Sequence, residues 1–124
     1  MSQSDDLLTI MQLITQADQL AGQKDAAGYV ALFAEDGAIE GTQGTATGHE
    51  ALKQMVQDVW QKEGRTLHLT NSVLVQNLTA TTATATSVLL IIDRDSLQTV
   101  SVAQITHTLA LIDGHWLFTK RSIA

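Results

Sequence analysis

His68 is the side chain whose type and position best suit acid–base chemistry. It lies in the segment RTLHLTN, residues 65–71, at the start of an apolar stretch with the alternation of a β-strand. An imidazole changes charge near neutral pH and can take a proton from a bound molecule. Thr70 and Ser72 fall on the same side of this strand, so we expect a polar, hydrated environment around the ring. A purely structural role at the entrance of the strand is the alternative.

The other three histidines fit structural or exposed positions better. His107 alternates with aliphatic residues along a predicted strand, which favours a hydrogen-bonded core or interface residue; a second pocket histidine beside His68 is the alternative. His49 lies at a helix start and His115 just after a turn, where we expect exposure. No two histidines have the i, i+4 spacing of a helical zinc site, and the chain has no cysteine, so we predict no metal.

Composition excludes several classes of protein. A chain of 124 residues fits one domain, residues 1–124. The net charge of -6 and the scattered positions of the seven lysines and arginines disfavour a nucleic-acid partner. The longest aliphatic run, Val88 to Ile92, is too short to cross a bilayer, and the first residues, MSQSDD, lack the features of a secretory signal. We therefore expect no membrane contact and a cytoplasmic location.

Hydrophobic periodicity predicts three helices in the first half of the chain. Apolar residues recur at three- and four-residue steps over about 5–21. Asp25 suits the N-cap of a second, shorter helix whose apolar face extends to Phe33. A third helix opens after Gly48 and ends at Gly64.

After the third helix the hydrophobic period changes to two, which indicates strands. Asp113-Gly114 predicts a tight hairpin between the last two of them. The predicted strands are 38–42, 67–78, 81–92, 100–112 and 115–122, with a glycine-rich turn at 41–48. Helices followed by long antiparallel strands predict an α+β fold, in which the helices pack on one face of a meandering sheet.

Five segments carry a resemblance to a known family: YVALFAEDGAIEG, GTATGHEALKQMV, HLTNSVLV, ATTATATSVLLI and DGHWLFTKRS. In order and spacing they resemble the SnoaL-like family of the nuclear transport factor 2-like superfamily, over nearly the whole chain. The resemblance implies a cone in which a strongly curved, mostly antiparallel sheet holds three N-terminal helices in its concave face and leaves a pocket. Members include ketosteroid isomerases, scytalone dehydratase, epoxide hydrolases, polyketide cyclases and non-catalytic subunits, so the fold does not fix the function.

His68 matches the position of the proton-abstracting histidine in dehydratase-like members. The aspartate that orients this histidine in those enzymes falls on Gly22 here. Asp18 lies one helical turn earlier and is the candidate replacement. The isomerase machinery is absent, because its shuttling aspartate falls on Gly41 and its oxyanion-hole aspartate on Thr106.

In a cone fold the core is continuous with the pocket wall, so core residues are also candidates for ligand contact. Arg121 matches an arginine of the terminal strand that reaches the pocket in some relatives; a surface salt bridge is the alternative. The residues that we expect at the ligand pocket are Tyr29, Phe33, Met55, Trp60, Thr70, His107 and Arg121.

These observations predict a protein that binds a small apolar or aromatic molecule in a hydrophobic pocket. It acts as a lyase, an isomerase or a polyketide-cyclase-type enzyme through His68, without an organic cofactor. The alternative is a non-catalytic dimeric ligand-binding or accessory module. We further expect a homodimer formed through the outer sheet face, because Leu69, Val73 and Val75 alternate with the inward residues and would otherwise be exposed.

Overall fold

The computed structural model describes residues 2–124 and confirms the α+β architecture. The helices are α1 (Gln3–Gln23), α2 (Ala26–Val30) and α3 (His49–Gln61). The strands are β1 (Phe33–Gly41), β2 (Gly44–Thr47), β3 (Thr66–Gln76), β4 (Thr82–Asp93), β5 (Thr99–Ile112) and β6 (His115–Ile123). They form one sheet in the order β2-β1-β6-β5-β4-β3, in which only β1 and β6 run parallel.

Helix α1 packs against β3 and presents one apolar stripe to the sheet. Its first turn is capped by Ser2, whose hydroxyl accepts from the Asp5 amide at 3.1 Å. Its end is set by Lys24, which adopts the left-handed conformation with φ 60°. Asp18 lies on the buried stripe among aliphatic residues, so α1 delivers a carboxylate to the interior of the domain.

The second helix is shorter than its apolar pattern predicted. Asp25 caps it by accepting from the Gly28 amide at 2.9 Å, but the helix ends at Val30. Phe33 belongs to β1 and pairs with Phe118 of β6, so its assignment to a helix face was wrong. Pairing with β6 places Phe33 in the sheet, so tertiary structure outweighs the helical spacing of apolar residues in this segment.

A β-bulge at Ser72 reverses the inward and outward sides of β3. Ser72 has φ 55°, and the pairing of β3 with β4 shifts between Asn71 and Leu74. Val73 and Val75 consequently pack towards the core, whereas Leu74 is exposed. The predicted outward position of these two valines was therefore wrong.

The β5–β6 hairpin brings two polar residues of the interior together. Asp113 and Gly114 both have positive φ, 50° and 80°, as expected for a tight two-residue turn. A register shift between Thr108 and Leu109 then places His107 opposite Arg121, with both side chains buried. Among residues 2–124, no helix has the length and apolar character needed to cross a membrane.

Candidate functional site

A cavity of about 630 Å³ lies between the three helices and the inner face of the sheet. Its lining includes exposed positions such as Thr42, Gln43 and Val100, so the cavity reaches the surface. The apolar part of the wall comprises Met55, Val59, Trp60, Leu89, Ile91, Ile105 and Ile123. The buried or half-buried polar part comprises Asp18, Tyr29, Glu63, His68 and Arg121.

His68 forms a close pair with Glu63. Its Nε2 lies 2.5 Å from Glu63 Oε1, and the two side chains are only 3% and 10% exposed. Glu63 also accepts from the Thr66 hydroxyl and lies 3.5 Å from Lys24 Nζ. Burial alone would raise the pKa of Glu63, but the hydrogen bonds from His68 and Thr66 outweigh burial and hold its pKa below the usual value. Glu63 is therefore a carboxylate at neutral pH.

This pair fixes the tautomer of the neutral imidazole. A carboxylate can only accept, so Nε2 carries the hydrogen and Nδ1 of His68 carries the free lone pair. Nδ1 is buried and has no hydrogen-bond partner within residues 2–124. Nδ1 is therefore the atom with free proton-accepting capacity on a ring that belongs to the cavity lining. The Glu63 carboxylate would stabilise the imidazolium that results.

Gly22 lies directly against the histidine. A Cβ atom added to Gly22 would lie 3.3 Å from the His68 backbone nitrogen and 3.6 Å from its Cβ and Cδ2 atoms. Residue 22 is thus within side-chain reach of the ring, as the resemblance implied. The carboxylate on His68 nevertheless comes from Glu63, two residues beyond the end of α3, not from α1.

Asp18 belongs to a second buried polar cluster. Its Oδ1 accepts from Arg121 NH2 at 2.9 Å, and its Oδ2 accepts from the Thr70 hydroxyl at 2.5 Å. Arg121 also donates to the Tyr29 hydroxyl at 2.8 Å and to His107 Nδ1 at 3.3 Å. Burial alone would lower the pKa of Arg121, but its contacts with Tyr29 and Asp18 raise that pKa above the usual value. Arg121 is thus a buried cation paired with an anion.

His107 accepts a hydrogen bond from the Arg121 guanidinium. Burial, followed by the neighbouring charge of Arg121, lowers the pKa of His107 to about 2, so the ring is neutral. Because its Nδ1 accepts from Arg121, its Nε2 carries the hydrogen and donates to Ser87 Oγ at 2.8 Å. The hydrogen bonds to His107, Tyr29 and Asp18 together fix the orientation of the Arg121 side chain. His107 is a hydrogen-bonded residue behind the cavity wall.

The structure distributes the predicted pocket residues over the wall and the layer behind it. Tyr29, Met55, Trp60 and Arg121 line the cavity together with His68. Phe33, Thr70 and His107 are not part of the lining. Phe33 packs on the Tyr29 ring with centroids 5.4 Å apart, whereas Thr70 and His107 bind Asp18 and Arg121 as described above.

Glu63 is the candidate site residue that was not predicted from the sequence. It lies five residues before His68, on the other side of a turn at Gly64, where φ is 79°. That turn folds the end of α3 back towards the start of β3, and the glycine between an acidic residue and a strand histidine was the available signal. Among residues 2–124, no three His, Cys, Asp or Glu side chains gather closely enough to hold a metal ion.

A family model described as SnoaL-like domain matches residues 2–122, and the chain belongs to that family. The fold is similar to that of a Nostoc punctiforme protein of unknown function with a cystatin-like fold, at 29% identity and a TM-score of 0.89, covering 95% of this chain and 89% of that one. It is also similar to a nuclear transport factor 2-like protein from Novosphingobium aromaticivorans, at 23% identity, TM-score 0.83 and coverage of 97% and 81%. ActVI-ORFA from Streptomyces coelicolor is 19% identical, with a TM-score of 0.85 and coverage of 98% and 95%. No curated protein matches the chain.

Proposed function

We propose that the protein is a cofactor-independent enzyme in which His68 acts as general base on a small molecule bound in the cavity. The observation that carries this proposal is the buried Nδ1 atom, which has no partner within residues 2–124 while Glu63 holds the opposite ring nitrogen. The reaction is of the lyase or isomerase type, since it begins with removal of a proton from carbon. A positioned general base typically contributes about 10²–10⁴-fold to such a step.

The cavity favours a neutral, largely apolar or aromatic molecule. Met55, Val59 and Trp60 supply an apolar wall on the helix side, and Leu89 and Ile91 supply one on the sheet side. The charged residues buried at the site are already paired, Asp18 with Arg121 and Glu63 with His68 and Lys24. In the buried part of the cavity, a charged ligand would lose its hydration without gaining an unpaired counter-ion. The charged residues Asp58 and Lys62 of the lining are exposed.

Deuterium exchange into a carbon acid tests the base directly. We choose 2-tetralone as probe, because it is a neutral bicyclic ketone with acidic C–H bonds beside its carbonyl group. In D₂O the wild-type protein should accelerate loss of the C1 proton signal, measured by NMR, and His68→Gln should reduce that acceleration at least about hundredfold. His115→Gln, which alters an exposed histidine, is the matched control. Tight binding without His68-dependent exchange would instead identify a non-catalytic ligand-binding module.

We also propose that the protein forms a homodimer through the outer face of its sheet. Leu69, Leu90 and Val102 are directly paired across β3, β4 and β5, which gives an apolar row on that face. Leu69 and Val102 are 39% and 61% exposed in the single chain. A second copy would remove this row from water.

A further inference from the structure

We propose that a second cleft, next to the His68–Glu63 pair, binds a small oxyanion with two or more negative charges, such as a phosphate group. The cleft has a volume of about 500 Å³, and its lining has Trp60 in common with that of the ligand cavity. Three of the nine residues that line it are cations, and the other six are uncharged. The cations are Lys24, Arg65 and Arg94.

The backbone brings the two arginines of this cleft together. Arg65 precedes β3 and Arg94 follows β4, and the Arg94 amide donates to the Arg65 carbonyl oxygen at 3.1 Å. Lys24 comes from the end of α1, and its Nζ lies 3.5 Å from Glu63 Oε1 and 3.4 Å from Thr66 Oγ1. Three segments that are far apart in sequence thus contribute one cation each to the same cleft.

Both arginines are available to a ligand. Arg94 is exposed and forms no salt bridge within residues 2–124. Arg65 Nη1 lies 3.1 Å from Asp95 Oδ1, but these two side chains are 72% and 71% exposed. An exposed pair of this kind is weak, so a ligand can replace Asp95 as the partner of Arg65. A guanidinium offers two parallel N–H donors to an oxyanion, and two guanidiniums therefore favour one that carries more than one charge.

Helix ends explain only part of this cluster. A lysine at the C-terminal end of a helix interacts favourably with the partial negative charge there, which accounts for Lys24 as the C-cap of α1. That effect is confined to the last turn of a helix. Arg65 lies four residues after the end of α3, and Arg94 lies in the turn between β4 and β5. An anion site gives a reason why these two arginines share one cleft with Lys24.

The surroundings favour a small ligand over a nucleic acid or an acidic protein. The chain has a net charge of -6, so most of its surface would repel an extended polyanion. Asp93 and Asp95 flank Arg94 in sequence and limit the positive charge to the cleft itself. A volume of about 500 Å³ has room for a phosphate group together with a small organic part.

Tryptophan fluorescence during a pyrophosphate titration tests the site. Trp60 lines the cleft, whereas Trp116 is buried and donates to Asp6 at 3.1 Å, so a change in emission should come from Trp60. At an ionic strength held constant with NaCl, pyrophosphate should produce a saturable change in wild type. Arg94→Gln should weaken this binding about tenfold, as expected for one charge-assisted hydrogen bond. Lys53→Gln, which removes an exposed cation outside the cleft lining, is the matched control and should not weaken it.

Amide resonances of the wild-type protein locate the bound anion. Gly22 and Gly64 line the cleft and should shift on addition of pyrophosphate, whereas Gly37 and Gly114 lie outside the lining and should not. Phenyl phosphate that binds more tightly than inorganic phosphate would identify an organic phosphate as the ligand, and equal affinities would identify the free anion.

Three results would overturn the proposal. The first is a fluorescence change no larger than that caused by NaCl alone. The second is an equal loss of affinity in Arg94→Gln and Lys53→Gln. The third is binding of poly-aspartate without binding of pyrophosphate or phenyl phosphate, which would identify a surface for an acidic protein.

Lys24 would connect this cleft with the base, a consequence that rests on the proposed function. An anion in the cleft would draw the Lys24 ammonium group away from Glu63, whose charge would then act more fully on the His68 imidazolium. Saturating pyrophosphate should therefore accelerate His68-dependent deuterium exchange about threefold, the size expected for one partly exposed ion pair. Lys24→Met should abolish this acceleration, while Arg65 and Arg94 still bind the anion.

The anion site and the base can fail separately. Pyrophosphate binding in a protein without His68-dependent exchange would support the site and reject the base. Exchange that needs His68, in a protein that does not bind pyrophosphate, would reject the site and support the base. Binding that leaves the exchange rate of wild type unchanged would reject the connection through Lys24.

Discussion

Glu63 Oε1 lies 2.5 Å from His68 Nε2, across the Gly64 turn that joins α3 to β3. The pair thus links the turn that follows α3 to the start of β3. Glu63 supplies the carboxylate that the resemblance places at residue 22, from a different element of the fold. This relationship determines what several substitutions should do.

Glu63→Gln should reduce His68-dependent deuterium exchange by at least about tenfold, because the amide cannot stabilise an imidazolium as a carboxylate does. The change is nearly isosteric, so the cavity should keep its affinity for 2-tetralone. Exchange rates and a binding titration on the same samples measure both effects. Glu40→Gln, at a surface pair with Lys120 outside the cavity lining, is the matched control. Unaltered exchange in Glu63→Gln would contradict the assigned role.

His68→Ala should destabilise the fold by about 2 kcal/mol, because it removes a buried partner from a buried carboxylate. This cost exceeds the expectation from a hydrated strand entrance, since the His68 side chain is only 3% exposed. Urea unfolding measures the change in the free energy of unfolding. His115→Ala at an exposed position should cost less than about 0.5 kcal/mol. Equal costs for the two variants would show that the pair adds no stability.

His107 should make the fold sensitive to mild acid. Its pKa is lowered to about 2 in the fold and is about 6.5 in the unfolded chain, so below pH 6.5 the unfolded state binds the extra proton. The free energy of unfolding should therefore fall with decreasing pH, by up to about 1.4 kcal/mol per pH unit from this residue. Unfolding curves between pH 7 and 5 measure the slope, which His107→Gln should reduce. An imidazole resonance of His107 that titrates in this range would refute the assignment.

Glu63 should also make the fold sensitive to acid, but at a lower pH than His107 does. Its pKa is below the usual 4.5 in the fold, so its stabilising effect is present above about pH 4.5 and is lost as the pH falls through the folded value. Thermal unfolding between pH 5 and 3 should show a steeper loss for wild type than for Glu63→Gln. Parallel curves for the two proteins would show that the carboxylate is not stabilised by folding.

Gly22→Asp should partly restore deuterium exchange in a Glu63→Gln protein. A Cβ on residue 22 lies 3.6 Å from His68 Cδ2, so an aspartate there brings a carboxylate to the edge of the ring. Gly22→Ala in the same background carries the same close contact with the His68 backbone without the charge, and it is the control. If both double variants exchange equally slowly, residue 22 does not reach the ring nitrogen.

Leu69→Lys should convert the proposed dimer to a monomer, because it places a charge in the apolar row of β3, β4 and β5. Sedimentation equilibrium at micromolar concentration distinguishes the two states. Leu8→Lys alters an equally apolar residue, 62% exposed on α1, and should leave the dimer intact. A wild-type protein that is monomeric at this concentration would reject the interface.

Local periodicity was sufficient to predict the elements that position the site. The helix of residues 5–21 and the strands after Gly64 appear in the structure within a few residues of their predicted bounds, because each follows a helical or strand period over most of its length. The reversal at Ser72 was not predictable, since a β-bulge needs one residue with positive φ and leaves the alternation of residue types ambiguous. Phe33 fits a helix face and a strand equally well, and only its partner in β6 decides between them.

The polar contacts were harder to predict from the sequence than the helices and strands. Asp18 and Arg121 meet because α1 and β6 pack together, and no spacing within the chain encodes that distance. The contact between Glu63 and His68 depends on the direction in which the Gly64 turn sends the chain. Residue type indicated that His68, Asp18 and Arg121 had some role, whereas their partners followed from tertiary structure alone.

The Asp18–Arg121 ion pair joins residues that are 103 positions apart, and the Trp116–Asp6 hydrogen bond spans 110. Forming contacts of such separation closes a long loop, which costs entropy before any packing repays it. Until β6 docks, Asp18 would lie in the incompletely packed interior without Arg121 as its counter-ion. Because Arg121 and Ile123 of β6 are part of the cavity lining, we expect the cavity to be complete only after β6 has docked, and partly folded chains without this strand in place should have no affinity for the ligand.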